Sequence, residues 1–100
     1  MLVRIVRMTF RKEEIDTFLS VFNEAKKHIR SFEGCNHLEL MRDMDKPNIL
    51  MTYSYWDSPD ALEKYRHSEL FKSTWAKTKV LFDDKPVAYS VERVQLVVPE

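Results

Sequence analysis

Residues 52–75 read TYSYWDSPDALEKYRHSELFKSTW, and this stretch changes from a strand pattern to a helix pattern near its middle. Its first part alternates aromatic with small polar side chains, which is typical of a β-strand. The segment 57–60 then indicates a helix start, because Ser58 can cap the helix and Pro59 suits its first turn. A strand and a helix that both carry aromatic side chains predict two walls of an apolar pocket.

The flanking sequence predicts the other elements of the chain. The predicted strands cover residues 2–10, 35–43, 49–56 and 87–98, and the predicted helical regions cover 11–31 and 59–82. Gly34 provides the stop after the first helix. We expect the second helical region to break near His67, where Ser68 can cap a new segment.

The resulting order βαββαβ predicts an α+β fold of the ferredoxin-like type, a four-stranded antiparallel sheet with its helices on one face. The length fits one domain that spans residues 1–100. Both faces of the strands carry apolar side chains, yet the helices cover only one face. Because monomers rarely expose so large an apolar surface, we expect a homodimer through the open sheet face, with the long last strand reaching across.

Composition excludes several classes of function. Formal net charge is +0, without the basic stripe of a nucleic-acid-binding protein. No apolar run approaches the roughly 20 residues of a membrane span, and no signal-peptide core is present, so we expect a cytoplasmic protein. A single glycine, Gly34, excludes the Rossmann and P-loop motifs, and a lone Cys35 excludes a disulfide framework. We therefore expect no cofactor. We also expect no metal site, because the three histidines lie in separate elements.

Six short segments along the chain form a pattern that is found in one protein family. They are Phe32–Cys35, Leu38–Leu40, Asp45–Asn48, Tyr53–Ser58, Ala61–Glu63 and Ser68–Phe71. In these segments the sequence resembles the antibiotic biosynthesis monooxygenase (ABM) family. The resemblance implies a dimeric α+β barrel. It also implies the activities of that family, which include cofactor-free oxygenases of phenols and quinols, haem-degrading enzymes and isomerase-like relatives.

The chain departs from the family pattern in its second helical region. Many ABM domains resemble this segment but carry histidine where this chain has Tyr65 and Leu70. The haem-degrading branch has a ligating histidine at the position of Trp75 and an asparagine in its first strand. Trp75 cannot ligate iron and residues 2–10 contain no asparagine, so the resemblance argues against haem degradation.

Two histidines are candidates for a catalytic base, since histidine titrates near neutral pH. His37 lies in the second predicted strand, where it either deprotonates a phenol or occupies the dimer face or rim. His67 lies at the predicted helix break, where it either points into the cavity mouth or is a solvated helix residue.

Four aromatic residues are candidates for substrate binding. We expect Tyr65 and Trp75, together with Tyr53 or Tyr55, to line the pocket, because a buried phenol or indole needs a polar partner. Trp56 and Phe71 are interpreted as core residues.

These observations favour a cofactor-independent monooxygenase that acts on a small aromatic, phenol- or quinol-like substrate. One alternative is a non-catalytic protein that binds a small molecule and has lost the acid/base residues. Another is an isomerase-type activity on a small oxygenated metabolite, which a small polar cavity would favour.

Overall fold

The computed structural model describes residues 1–100, and its elements follow the predicted order. The strands are β1 (Leu2–Thr9), β2 (Cys35–Arg42), β3 (Ile49–Trp56) and β4 (Val87–Glu92). The helices are α1 (Ile15–Arg30), α2 (Pro59–Arg66) and α3 (Glu69–Lys79), and a short 3-10 helix (Lys12–Glu14) precedes α1. None of the helices has the length and apolar character needed to cross a bilayer.

The strands form one antiparallel sheet in the order β2-β3-β1-β4, and the helices pack on one of its faces. This arrangement confirms the predicted α+β, ferredoxin-like fold. A core cluster joins β1 and β3 to α1 and to the segment that follows α3: Met8, Phe10, Phe18, Phe22, Leu50 and Leu81. The rings of Phe10 and Phe18 stack with their centroids 4.3 Å apart.

The predicted break in the second helical region is confirmed. The Ser58 hydroxyl oxygen accepts a hydrogen bond from the backbone N–H of Ala61 at 3.1 Å and caps α2. The Ser68 oxygen accepts one from the N–H of Phe71 at 3.1 Å and caps α3. His67 ends α2, so the chain turns there before α3, and α2 packs on the sheet through Leu62 and Trp56.

Gly34 connects α1 to β2 in a conformation that other residues rarely adopt. Its φ angle is +89°, and a Cβ atom placed there would lie 2.6 Å from the Cβ of Ala61. Asp57 N–H donates to the Gly34 carbonyl at 2.9 Å, so this turn is also tied to the start of α2. The turn therefore requires glycine both for its backbone angle and for its close approach to Ala61.

We expect Gly34→Ala to lower the free energy of unfolding by about 2–4 kcal/mol, because the strained φ and the steric overlap add. Urea unfolding followed by circular dichroism measures this loss. The matched comparison is a double-mutant cycle with Ala61→Gly, which removes the overlap, keeps the strain and has its own helix cost of about 1 kcal/mol; Gly34→Ala should therefore cost less in the Ala61→Gly background than in wild type. An unchanged midpoint for the single variant would contradict the argument.

β4 is shorter than the sequence predicts, which corrects the expected strand 87–98. Glu92 pairs with Leu2, the first residue of β1, so beyond Glu92 the chain has no neighbouring strand to pair with. Residues 93–100 leave the sheet without regular structure, and Val94 and Val97 are 88% and 83% exposed.

A bulge at Asn36 changes which residues of β2 share a face. Cys35 pairs with Trp56 and His37 pairs with Tyr55, so one extra residue lies between two consecutive pairs. The Asn36 side-chain amide donates to the Asp57 carboxylate at 2.6 Å. Simple alternation would place Cys35 and His37 on the same face. The bulge instead places Cys35 on the helix face and His37 on the opposite one.

Candidate functional site

A cavity of about 320 Å³ lies between the helix face of the sheet and the three helices. Its floor comes from inward-facing residues of β1, β2 and β3, including Val6, Leu38 and Thr52. Twelve of its 19 lining residues are hydrophobic, so the space suits an apolar ligand of modest size.

One wall of the cavity is a continuous run of aromatic rings from residues 56–75. Trp56 stacks on Tyr65 at 4.8 Å, Tyr65 meets Phe71 edge to face at 5.3 Å, and Phe71 lies parallel to Trp75 at 5.9 Å. Tyr65 and Trp75 line the cavity, where the sequence places them. Trp56 and Phe71 also line it, although their pattern indicates only core residues.

Tyr65 is the only tyrosine among the lining residues. Burial is the main cause that raises the pKa of its hydroxyl, and the neighbouring Cys35 raises that pKa further. The phenol therefore stays protonated at neutral pH and cannot serve as a base there.

The charged groups of the cavity are two arginines, which sequence reasoning missed. Arg4 lies on the inward side of β1, paired with Ser54 on β3 and Ser90 on β4. Arg66, at the end of α2, lies at the exposed rim. The sequence gives one indication of this position. Alternate residues of a strand share a face, so Arg4 falls on the same side of β1 as the apolar Val6 and Met8.

The cavity contains no carboxylate, no imidazole and no thiol among its lining residues. His67 does not line it, which corrects one expectation for the cavity mouth. Its side chain is 77% exposed and its Nε2 atom lies 3.3 Å from Glu63 Oε2 on the outer side of α2. No group of three or more His, Cys, Asp or Glu side chains is placed to hold a metal ion.

Tyr53 and Tyr55 lie on the opposite, open face of the sheet, so neither of them lines the cavity, which corrects the expectation that one would. His37 lies with them on the open face, the surface named in its second interpretation, and not in the cavity. His37 stacks on Tyr55 with centroids 4.6 Å apart, and Tyr53 meets Tyr55 at 5.3 Å. His37 Nε2 lies 3.0 Å from Glu39 Oε2. The inward positions of β3 belong instead to Thr52, Ser54 and Trp56.

The model of one protein family, described as antibiotic biosynthesis monooxygenase, matches residues 1–77. The chain belongs to the ABM family. A search of curated proteins found no match. The matched residues include α2 and nearly all of α3, so the aromatic wall lies within the ABM part of the chain.

Several solved structures share this fold at low sequence identity. An antibiotic biosynthesis monooxygenase is 20% identical with a TM-score of 0.89, covering 95% of this chain and 100% of that one. A conserved protein from Methanosarcina mazei Go1 is 17% identical with a TM-score of 0.87, covering 93% of both chains. Rv0793 from Mycobacterium tuberculosis is 16% identical with a TM-score of 0.88, covering 97% and 98%.

Proposed function

We propose that this ABM protein is a cofactor-independent monooxygenase that oxidises a small phenol or quinol in its cavity. The observation that carries the proposal is the aromatic wall beside a space of about 320 Å³. A flat ring can stack on such a wall in an offset arrangement. Family membership supports the reaction class, since the family is described by monooxygenase activity.

In the proposed reaction, a ring methylene becomes a carbonyl group; the methylene is that of an anthrone or of the keto tautomer of a quinol. Loss of one proton gives a delocalised anion, which passes one electron to O₂. The organic radical and superoxide then combine into a C–O bond, and the peroxide takes up one proton. Loss of water follows, so that one CH₂ group and one O₂ give one C=O group and one H₂O.

The lining residues assign no base to the first step of this reaction. The only tyrosine among them stays protonated, and His37 and His67 lie elsewhere. We therefore propose that the substrate loses its proton to water and reacts as its own anion. The fraction of anion rises with pH, so kcat/KM should rise up to the pKa of the substrate and then level off.

Oxygen uptake with a panel of anthrones and quinols tests this function. We expect enzyme-dependent uptake whose pH midpoint moves with the pKa of each substrate. Trp75→Leu should lower kcat/KM by about tenfold, since an aromatic contact and part of the wall are lost, whereas Trp75→Phe should retain most of it. No uptake with any substrate, or one fixed midpoint for all of them, would contradict the proposal.

A non-catalytic binding protein is the second candidate, and the absence of a base among the lining residues favours it. A tight aromatic ligand that is recovered unchanged after aerobic incubation would support this alternative. The mainly hydrophobic lining does not favour an isomerase of a small polar metabolite.

We also propose that a second copy of the chain covers the open face of the sheet. Two rows of paired residues cross the middle of that face from β2 to β4. The first row is Glu39, Tyr53, Ile5 and Tyr89, and the second is His37, Tyr55, Val3 and Val91. Tyr89 and Val91 are 52% and 45% exposed. Residues 93–100 continue from β4 and carry further exposed apolar side chains, which suit the partner's surface.

A further inference from the structure

An arginine lies where the apolar floor of the cavity would be expected to continue. Arg4 precedes the inward-facing Val6 and Met8 on β1 and lies on the same side of the strand, and its side chain lines the cavity. Taking a guanidinium group partly out of water costs free energy unless the charge is compensated. Such a residue at a cavity therefore needs a counter-charge.

Few groups of the chain hydrogen-bond to the Arg4 side chain or neutralise its charge. Its Nη1 atom donates to Ser90 Oγ at 2.9 Å, and this is its one side-chain hydrogen bond. No carboxylate oxygen lies within 4.0 Å of it. A guanidinium carries five N–H donors, so most of its capacity is left for a ligand.

Glu63 is the one carboxylate that raises the pKa of Arg4, and its two oxygens already contact other groups. Glu63 Oε1 lies 2.7 Å from Arg66 Nη1, and Glu63 Oε2 lies 3.3 Å from His67 Nε2. Burial and the positive charge of Arg66 lower the pKa of Arg4, and Glu63 only partly offsets them. This end of the cavity is therefore electropositive, next to an aromatic wall.

We propose that the cavity binds its aromatic ligand as an oxyanion, with a carboxylate or phenolate oxygen on Arg4. The inference rests on the proposed function, because it names the ionic form of that substrate. Arginine pairs with carboxylates through two parallel N–H···O bonds, while the ring stacks on the aromatic wall.

This placement also accounts for catalysis without a base. A cation within about 4–6 Å of a phenol favours its ionised form and lowers its pKa by about 1–3 units. An ordinary phenol pKa near 10 then becomes about 7–9, so a much larger fraction of a quinol bound beside Arg4 is ionised at neutral pH, its proton having gone to water. The arginine thus stabilises the charged reactant and removes no proton itself.

Calorimetry with two matched probes tests the inference. The probes are 2-naphthoate and its neutral isostere 2-naphthamide, which share ring, shape and size. We expect wild-type protein to bind naphthoate about tenfold or more tightly than naphthamide, and Arg4→Gln to abolish that preference by weakening naphthoate alone. The control is Arg42→Gln, an exposed arginine on β2 outside the cavity, which should leave both affinities unchanged.

The pKa of a bound phenol is a second measurement, and it would not depend on Arg4 if that residue only stabilised the fold. 4-Nitrophenol changes its absorbance on ionisation, and its pKa should fall by about one unit or more when it is bound to wild type. Arg4→Gln should return that pKa to the solution value, whereas Arg4→Lys should keep part of the shift.

Equal binding of naphthoate and naphthamide would overturn the inference, as would a preference that survives in Arg4→Gln. Oxygen uptake distinguishes this failure from failure of the proposed function. If quinols are oxidised but no probe shows an arginine-dependent preference, only the anion inference is wrong. If an Arg4-dependent preference is found without any oxygen uptake, the anion site stands and the monooxygenase proposal fails.

Discussion

Trp56→Ala is expected to lower the free energy of unfolding by about 3–5 kcal/mol, the range for truncating a fully buried large aromatic side chain. Trp56 is 1% exposed and packs in a cluster with Cys35 and Leu62. Its indole N–H donates to Ser54 Oγ at 3.0 Å, so the variant loses both the packing and a buried hydrogen bond.

Urea unfolding at a fixed protein concentration measures this loss. Trp75→Ala is the matched control, since it removes the same side chain from a partly exposed position in the same segment. We expect it to cost clearly less stability. Equal losses for the two variants would contradict the argument that the burial of Trp56 and its hydrogen bond to Ser54 cause the larger loss.

Removal of residues 94–100 is expected to convert a homodimer into a monomer at micromolar concentration. These residues carry Val94, Leu96, Val97 and Val98, which are 68–88% exposed in the single chain. Because they leave the sheet at its edge, they can pack only against another surface. The truncated chain should keep its far-ultraviolet circular dichroism spectrum, since no strand or helix is removed.

Light scattering after gel filtration measures the mass of both chains. Removal of Pro99 and Glu100 alone is the control, because it leaves the apolar residues in place. A monomeric full-length chain would disprove the proposed dimer. A truncated chain that stays dimeric would show that the sheet face is sufficient and that the tail contributes little.

Much of the fold could be predicted from local sequence. The apolar stripe of α1, the serine caps of α2 and α3 and the glycine turn each have a local cause. The end of β4 could not be predicted, because it depends on where β1 begins. Leu2 is the last partner available, and no property of residues 93–98 reveals that.

The candidate site was only partly predictable, for two physical reasons. Strand alternation divides β3 into two sets but does not say which set faces the helices. Both sets contain aromatic rings, and the structure places Thr52, Ser54 and Trp56 on the helix face and Tyr53 and Tyr55 on the open face. Arg4 was missed because a charged residue in a strand is usually exposed, and only the three-dimensional arrangement shows its unpaired charge at the cavity.

The bulge at Asn36 has a consequence for how this chain is aligned with its relatives. A homologue with a regular β2 has one residue fewer between the glycine turn and the middle of the strand. At identities of 16–20%, an ungapped alignment anchored on Gly34 then shifts His37 and every later residue of β2 by one position. Functional residues transferred by such an alignment would be assigned to the wrong face of the sheet.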